Sequence, residues 1–173
     1  MPARLYVPEI SGASFILCAT QTPSNDIGTG GPIGRACNAG LAAANSTTLV
    51  LPPAITFTTQ PTTVGIGTQL SWSGGPGGVN VVVISDSVAG DPVITLVTTL
   101  ASATVPDLVP YGVSLPSAKA YQVAVYGVAP FATIDSAASP AGFDEMLIAL
   151  QYDHGPSATG QSSASGPVSV TTQ

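Results

Sequence analysis

The chain has 173 residues, of which 45% are hydrophobic, so its length fits one packed domain, alone or with a smaller companion. Only 7% are charged, against about 25% in typical soluble domains. Three basic and nine acidic residues give a formal net charge of −6. Nucleic-acid binding and binding to anionic membranes both need a basic surface, so this composition argues against both functions.

Glycine and proline punctuate the whole chain, with 19 and 16 copies. Such a composition interrupts helices and favours short strands joined by turns, which predicts an all-β fold. No segment approaches the ~20 apolar residues of a membrane-spanning helix. Residues 1–19 lack the pattern of a signal peptide, so we expect a mature or excised fragment of an exported protein.

Residues 1–52 are predicted to form a small N-terminal β-rich unit that ends at Pro52-Pro53. A unit of this size is marginal alone, so we expect it to pack on the following domain. Its segment 20–40 is rich in Thr, Ser, Asn, Gly and Pro and predicts a loop. Its predicted strands are 4–7, 13–19 and 46–51.

The chain has two cysteines, Cys18 and Cys37, both in this unit. Two cysteines and one histidine are too few for a structural zinc site. In an exported protein a disulfide between them is expected, and it would contribute about 3 kcal/mol by restricting the unfolded chain. A pair of buried thiols is the alternative.

From residue 54 onward, apolar and alternating segments recur at the spacing of a β-sandwich. In segment 69–73 the alternation places Leu70 and Trp72 on one face, whereas 79–85 is nearly continuous in apolar residues and predicts a strand buried on both faces. Segment 144–151 is the only one with helix-forming content. The predicted strands are 55–59, 69–73, 79–85, 93–100, 103–108, 121–128 and 167–172.

Residues 54–173 resemble a fibronectin type III domain. The resemblance rests on Leu70-Ser71-Trp72-Ser73, on Val79 to Ile84, and on Leu115 six residues before Tyr121. It implies seven strands in two antiparallel sheets, with Trp72 on the second strand and Tyr121 opening the sixth. The segment Ser165 to Thr172 resembles the closing strand.

A tyrosine at that corner can bury its ring while its hydroxyl bonds to nearby backbone. The chain departs from the family pattern at Pro116, which is one position early, and at Ala118, where the family commonly has glycine. A long insertion at 130–165 is a further departure. An immunoglobulin-like sandwich is the nearest alternative.

No catalytic arrangement is evident in the sequence. A Ser-His-Asp triad would need His154, the one histidine, which lies in a polar turn-like segment, and no Gly-x-Ser-x-Gly motif occurs. We therefore expect no enzyme activity and no cofactor.

Other candidate sites are weaker. The acids of the insertion could hold calcium, but they lack a regular spacing. Asn45-Ser46-Thr47 is a glycosylation sequon. The aromatic residues Tyr111, Tyr126 and Phe131 could stack on sugars. The strand pattern predicts an outward position for Tyr126 and makes no prediction for the other two. The acids in question are Asp135, Asp144, Glu145 and Asp153.

These features predict a non-enzymatic extracellular or cell-surface module, acting as a spacer, an adhesive unit, or a subunit of a layer or filament. Its partners would be neighbouring copies or other surface domains. A carbohydrate-binding accessory module of a secreted hydrolase is the alternative. We expect the 130–165 insertion to be a main contact, or else to fold back on its own sandwich.

Overall fold

The computed structural model describes residues 9–21, 31–43, 46–86, 91–139 and 159–173. Strands dominate these ranges, and the predicted all-β, sandwich-like fold is confirmed. The strands are β1 Phe15–Gln21, β2 Ile33–Leu41, β3 Thr56–Phe57, β4 Thr63–Val64, β5 Gln69–Ser73, β6 Val79–Ser85, β7 Ile94–Thr98, β8 Ser102–Thr104, β9 Ala120–Ala129, β10 Gly160–Ala164 and β11 Val168–Thr172. A 3₁₀ turn covers Val109–Tyr111, and a short helix, α1, covers Ile134–Ala138.

The larger sheet is organised around β9. Along one edge β9 pairs antiparallel with β6, which in turn pairs with β7. Along its other edge β9 pairs with β11 in its first half and with β10 in its second half. Beyond β11 lies β4, which is parallel to it, and beyond β10 lie β2 and then β1.

The smaller sheet contains β3, β5 and β8, and it packs against the side of the larger sheet that includes the first half of β9. Alternation in β5 turns Leu70 and Trp72 inward, as predicted, and both are buried. They meet Tyr121, Val123 and Val125 from β9 in one hydrophobic core. Burial of these apolar side chains between two sheets is the main stabilising contribution of the sandwich.

The N-terminal strands continue the larger sheet rather than forming a sheet of their own. β2 pairs with β1 on one edge and with β10 on the other, so the sheet runs across the predicted boundary at residues 52 and 53. The prediction of a loop at 20–40 is wrong for residues 33–40, which belong to β2. The glycine-rich composition of this segment gave no strand pattern. At Gly34 a side chain would collide with the Pro52 carbonyl, so glycine permits this close approach.

Other strand assignments also differ from expectation. Residues 46–51 form no paired strand, the two-residue β4 was not predicted, and β10 lies inside the segment expected to be an insertion. Serines and glycine dominate β10, so its sequence lacks a strand pattern, and its pairing with β2 and β9 supplies the stability. The predicted segments 4–7 and 144–151 lie outside the described residues.

The outer face of the larger sheet carries a second apolar cluster. Val79 and Val81 of β6 and Val128 of β9 are buried there against Ala137 of α1. Thr133 caps α1 in a reciprocal pair with Ser136, which fixes where the helix begins. The start of the 130–165 segment thus folds back on its own sheet, while residues 140–158 of that segment lie outside the described residues.

Replacing Trp72 with alanine should test the sandwich core. Trp72 is 3% exposed, so its removal leaves a large cavity and should lower the free energy of unfolding by about 3–5 kcal/mol. Val109→Ala, at an exposed site, should change it by less than about 0.5 kcal/mol. Urea unfolding followed by circular dichroism measures both variants, and a folded-state Trp72 emission of the unmodified protein typical of water-exposed tryptophan would contradict the assignment.

Candidate functional site

Three charged side chains meet where the ends of three neighbouring strands come together. Asp86 directly follows β6, Asp91 lies just before β7, and Lys119 directly precedes β9. Because β6 runs antiparallel between β7 and β9, the end of β6 lies beside the beginnings of the other two. The sheet thus gathers residues 86, 91 and 119 at one point, which we call the lysine cluster.

Both aspartates of the lysine cluster contact the same ammonium group. Lys119 Nζ lies 3.2 Å from Asp86 Oδ2 and also forms an ion pair with Asp91 Oδ2. The side chains of Asp86, Asp91 and Lys119 are 5%, 19% and 35% exposed. A carboxylate as buried as Asp86 needs a cation beside it, because charge is costly away from water.

The backbone of Lys119 is held by the closing strand. The Thr172 hydroxyl accepts a 2.9 Å hydrogen bond from the Lys119 N–H, and it donates to the Pro116 carbonyl. The Thr172 N–H donates to the Lys119 carbonyl at 2.9 Å. Thr172 is itself buried, so the last residue of β11 fixes the corner before β9.

This arrangement corrects the expected role of Tyr121. Its ring is buried as predicted, with the residue 1% exposed, but within the described ranges its hydroxyl has no hydrogen-bond partner. The hydrogen bonds that hold the corner come from Thr172 and not from Tyr121. Burial first, and then the negative charge of Asp86, raise the pKa of Tyr121 above its ordinary value.

Ala118 occupies the corner position where the resembling family commonly has glycine. Its φ angle is +57°, in the left-handed region that disfavours residues with a side chain. The Ala118 N–H donates to the Thr172 carbonyl at 2.9 Å, which holds this conformation. The departure noted in the sequence therefore leaves the turn in place but with local backbone strain.

Thr172→Val should weaken the corner without changing its shape. The substitution removes a hydroxyl that hydrogen-bonds part-buried backbone groups, so the free energy of unfolding should fall by about 1–3 kcal/mol. Thr171→Val makes the same chemical change at the neighbouring exposed position and should have little effect. Denaturant unfolding of both variants measures the difference, and equal effects would show that the Thr172 hydroxyl does not hold the corner.

Tyr121→Phe should leave stability unchanged or raise it by about 1 kcal/mol, because it removes a buried hydroxyl that lacks a partner. A substantial loss would instead indicate a bond from this hydroxyl to the corner. Alkaline titration adds a second measurement. Since the pKa of Tyr121 is raised in the folded state, its contribution is complete below its unfolded value of 10.0 and is lost as pH rises through the folded pKa. The phenylalanine variant should lack that part of the alkaline destabilisation.

The two predicted disulfide cysteines face each other directly across β1 and β2. Cys18 and Cys37 form a disulfide with their Cα atoms 4.1 Å apart. Arg35 on β2 extends its guanidinium to within 3.6 Å of Cys18 Sγ. The bond joins the outermost pair of strands on this side of the sheet, so it supports a hairpin with little buried apolar surface of its own.

The other sequence candidates do not converge on one place. Tyr126 and Phe131 pack partly buried in the outer-face cluster, whereas Tyr111, outside that cluster, is 81% exposed on the 3₁₀ turn. Asp135 is exposed on α1. Asn45 and the remaining insertion candidates lie outside the described residues, namely Asp144, Glu145, Asp153 and His154. Within the described ranges no three Asp, Glu, His or Cys side chains gather as metal ligands would.

A shallow pocket opens at the same end of the sandwich as the lysine cluster. Aliphatic side chains form most of its wall, including Ile66, Ile94, Val105, Leu108 and Leu115. Sequence reasoning missed both the pocket and the cluster. The signal for the cluster was available, since the chain has a single lysine, and Asp86 and Asp91 both lie between two predicted strands.

No family model, curated protein or solved structure matches the chain. Within the part of the chain that the structure describes, no helix is both long and apolar enough to cross a membrane.

Proposed function

We propose that this protein is a non-enzymatic structural module of an extracellular or cell-surface assembly, and that copies associate edge to edge through the larger sheet. One observation carries the proposal: within the described ranges, β1 and β7 lie on opposite sides of the larger sheet and each pairs on one side only, as the two-residue β4 also does. Neither strand contains a charged residue or a proline. Soluble proteins commonly protect sheet edges with such residues, so two unprotected edges favour association.

The two edges lie on opposite sides of the same sheet, in the order β7-β6-β9-β10-β2-β1. Pairing β1 of one copy with β7 of the next would continue the sheet without closing a ring. Contacts between unlike surfaces of this kind generate filaments or layers. A low density of charge also leaves little repulsion between neighbours.

A fibronectin type III or immunoglobulin-like class is part of this proposal. If the two-residue β4 is set aside, Trp72 lies on the second strand of the sandwich and Tyr121 on the sixth, as the resemblance implies. The disulfide supports an extracellular setting, since such bonds persist in oxidising environments. A sandwich alone does not define a function, so the edge strands carry the argument.

The carbohydrate-binding alternative gains no support from the aromatic side chains. A sugar platform needs exposed rings on a common face, and two of the three candidates are packed in the outer-face cluster. The shallow pocket is mainly aliphatic and offers few polar groups to a sugar.

Paired lysines on either edge strand should abolish self-association. The edge variants are Ile16→Lys with Thr20→Lys on β1, and Thr95→Lys with Val97→Lys on β7, all at exposed positions. Light scattering over a concentration series should show assembly of the unmodified protein and monomers of each edge variant. Equal amounts of the two edge variants should form dimers when mixed, because each retains the edge that the other has lost.

Gln122→Lys with Thr171→Lys is the matched control. It makes the same change in net charge on interior strands, at exposed positions, and should still assemble. A monomeric unmodified protein at all concentrations would overturn the proposal. Assembly of both edge variants would place the contact on another surface.

A further inference from the structure

The lysine cluster brings an amine and a carboxyl group together with a second carboxylate beside them. Lys119 is the one lysine of a chain with three basic residues, and it contacts two of the nine acids. Asp91 and Lys119 are 28 residues apart in sequence, so the fold alone creates this proximity. We propose that Lys119 Nζ and Asp91 Cγ become joined by an amide bond, with Asp86 relaying the proton.

Rigid positioning favours this reaction. The Lys119 backbone is fixed by Thr172 at both its N–H and its carbonyl, and Asp86 follows a strand paired along both edges. Groups held in contact react far faster than the same groups in solution, because the entropy of bringing them together has already been lost.

The two carboxyl groups of the lysine cluster are also largely removed from water. Asp86 is 5% exposed and Asp91 19%, so both carboxyl groups have lost most of their water. The Tyr121 hydroxyl is a buried polar group that has no hydrogen-bond partner within the described ranges and that senses the charge of Asp86. It is a donor group that can respond as the charge of Asp86 changes during the reaction.

The chemistry balances without any oxidant or co-reactant. One proton passes from the Lys119 ammonium to the Asp91 carboxylate, which gives a neutral amine and a carboxylic acid. The Nζ lone pair then attacks Asp91 Cγ and forms the N–C bond. Asp86 accepts a proton from Nζ and delivers it to the departing hydroxyl, the C–O bond breaks, and one water leaves. Asp86 returns to its starting state.

The product would link the beginning of β7 to the beginning of β9, across β6. These strands otherwise separate when their hydrogen bonds to β6 break. The bond would therefore hold the central sheet together under pulling force or partial unfolding. This inference does not depend on how copies associate.

Intact mass spectrometry of the purified full chain, reduced and denatured, tests the proposal. The mass should be lower than the sequence requires by one water molecule. Lys119→Arg retains a cation but lacks the reactive amine, and Asp91→Ala lacks the carboxyl group, so both should show the full mass. Asp86→Asn retains both reacting groups and should show loss of most of the bond.

Trypsin digestion of the reduced, unfolded chain locates the link. Trypsin cuts after the chain's three basic residues, Arg4, Arg35 and Lys119, but not after a lysine whose amine is acylated. Residues 36–173 should therefore remain one fragment, while Lys119→Arg should be cut after residue 119. A full intact mass with complete cleavage after Lys119 would overturn the proposal, as would an equal loss of water in Lys119→Arg.

Discussion

Strand β9 has a neighbour along each edge and a packed cluster on each face. Tyr121, Val123 and Val125 point into the core between the sheets, while Tyr126 and Val128 point to the outer cluster. Among the described strands β9 has the most partners, since β6, β10 and β11 all hydrogen-bond to it. The ten residues of β9 set the register for both halves of the larger sheet.

The lysine cluster and the corner are consequences of this register. Ser85 pairs with Gln122, which brings the residue after β6 next to the residues before β9. Thr172 reaches the corner because β11 pairs with the first half of β9. A shift of one residue in either pairing would turn these side chains to the other face and would separate Asp86 from Lys119.

The sequence predicted the sandwich strands well where side-chain pattern alone determines them. β5 and β6 have the predicted bounds, because alternation around Trp72 and the apolar run from Val79 are strong signals. β2 and β10 escaped prediction since their stability comes from partners distant in the chain. Gly34 and Ser163 illustrate this: one permits contact with Pro52, and the other donates a hydrogen bond to the Pro53 carbonyl.

The candidate site was less predictable than the fold. The Cys18–Cys37 disulfide was predicted because these are the only two cysteines of a chain expected to be exported, but their direct opposition depends on β2, which was not foreseen. The proposed tyrosine bond failed because Thr172 already occupies the backbone groups of the corner. The lysine cluster depends on three strand ends, and such a meeting is visible only when the order of strands in the sheet is known.

The pairing of β9 with two separate strands, β10 and β11, has a consequence for how the chain folds. Segments β10 and β11 complete both halves of the larger sheet, and each pairs with residues far earlier in the sequence: Gly160 with Cys37, and Thr172 with Val64. Folds dominated by such distant pairings form slowly, because long loops must close before their contacts stabilise anything. Until β10 and β11 have been synthesised, β2 and β9 lack these partners and the larger sheet is incomplete.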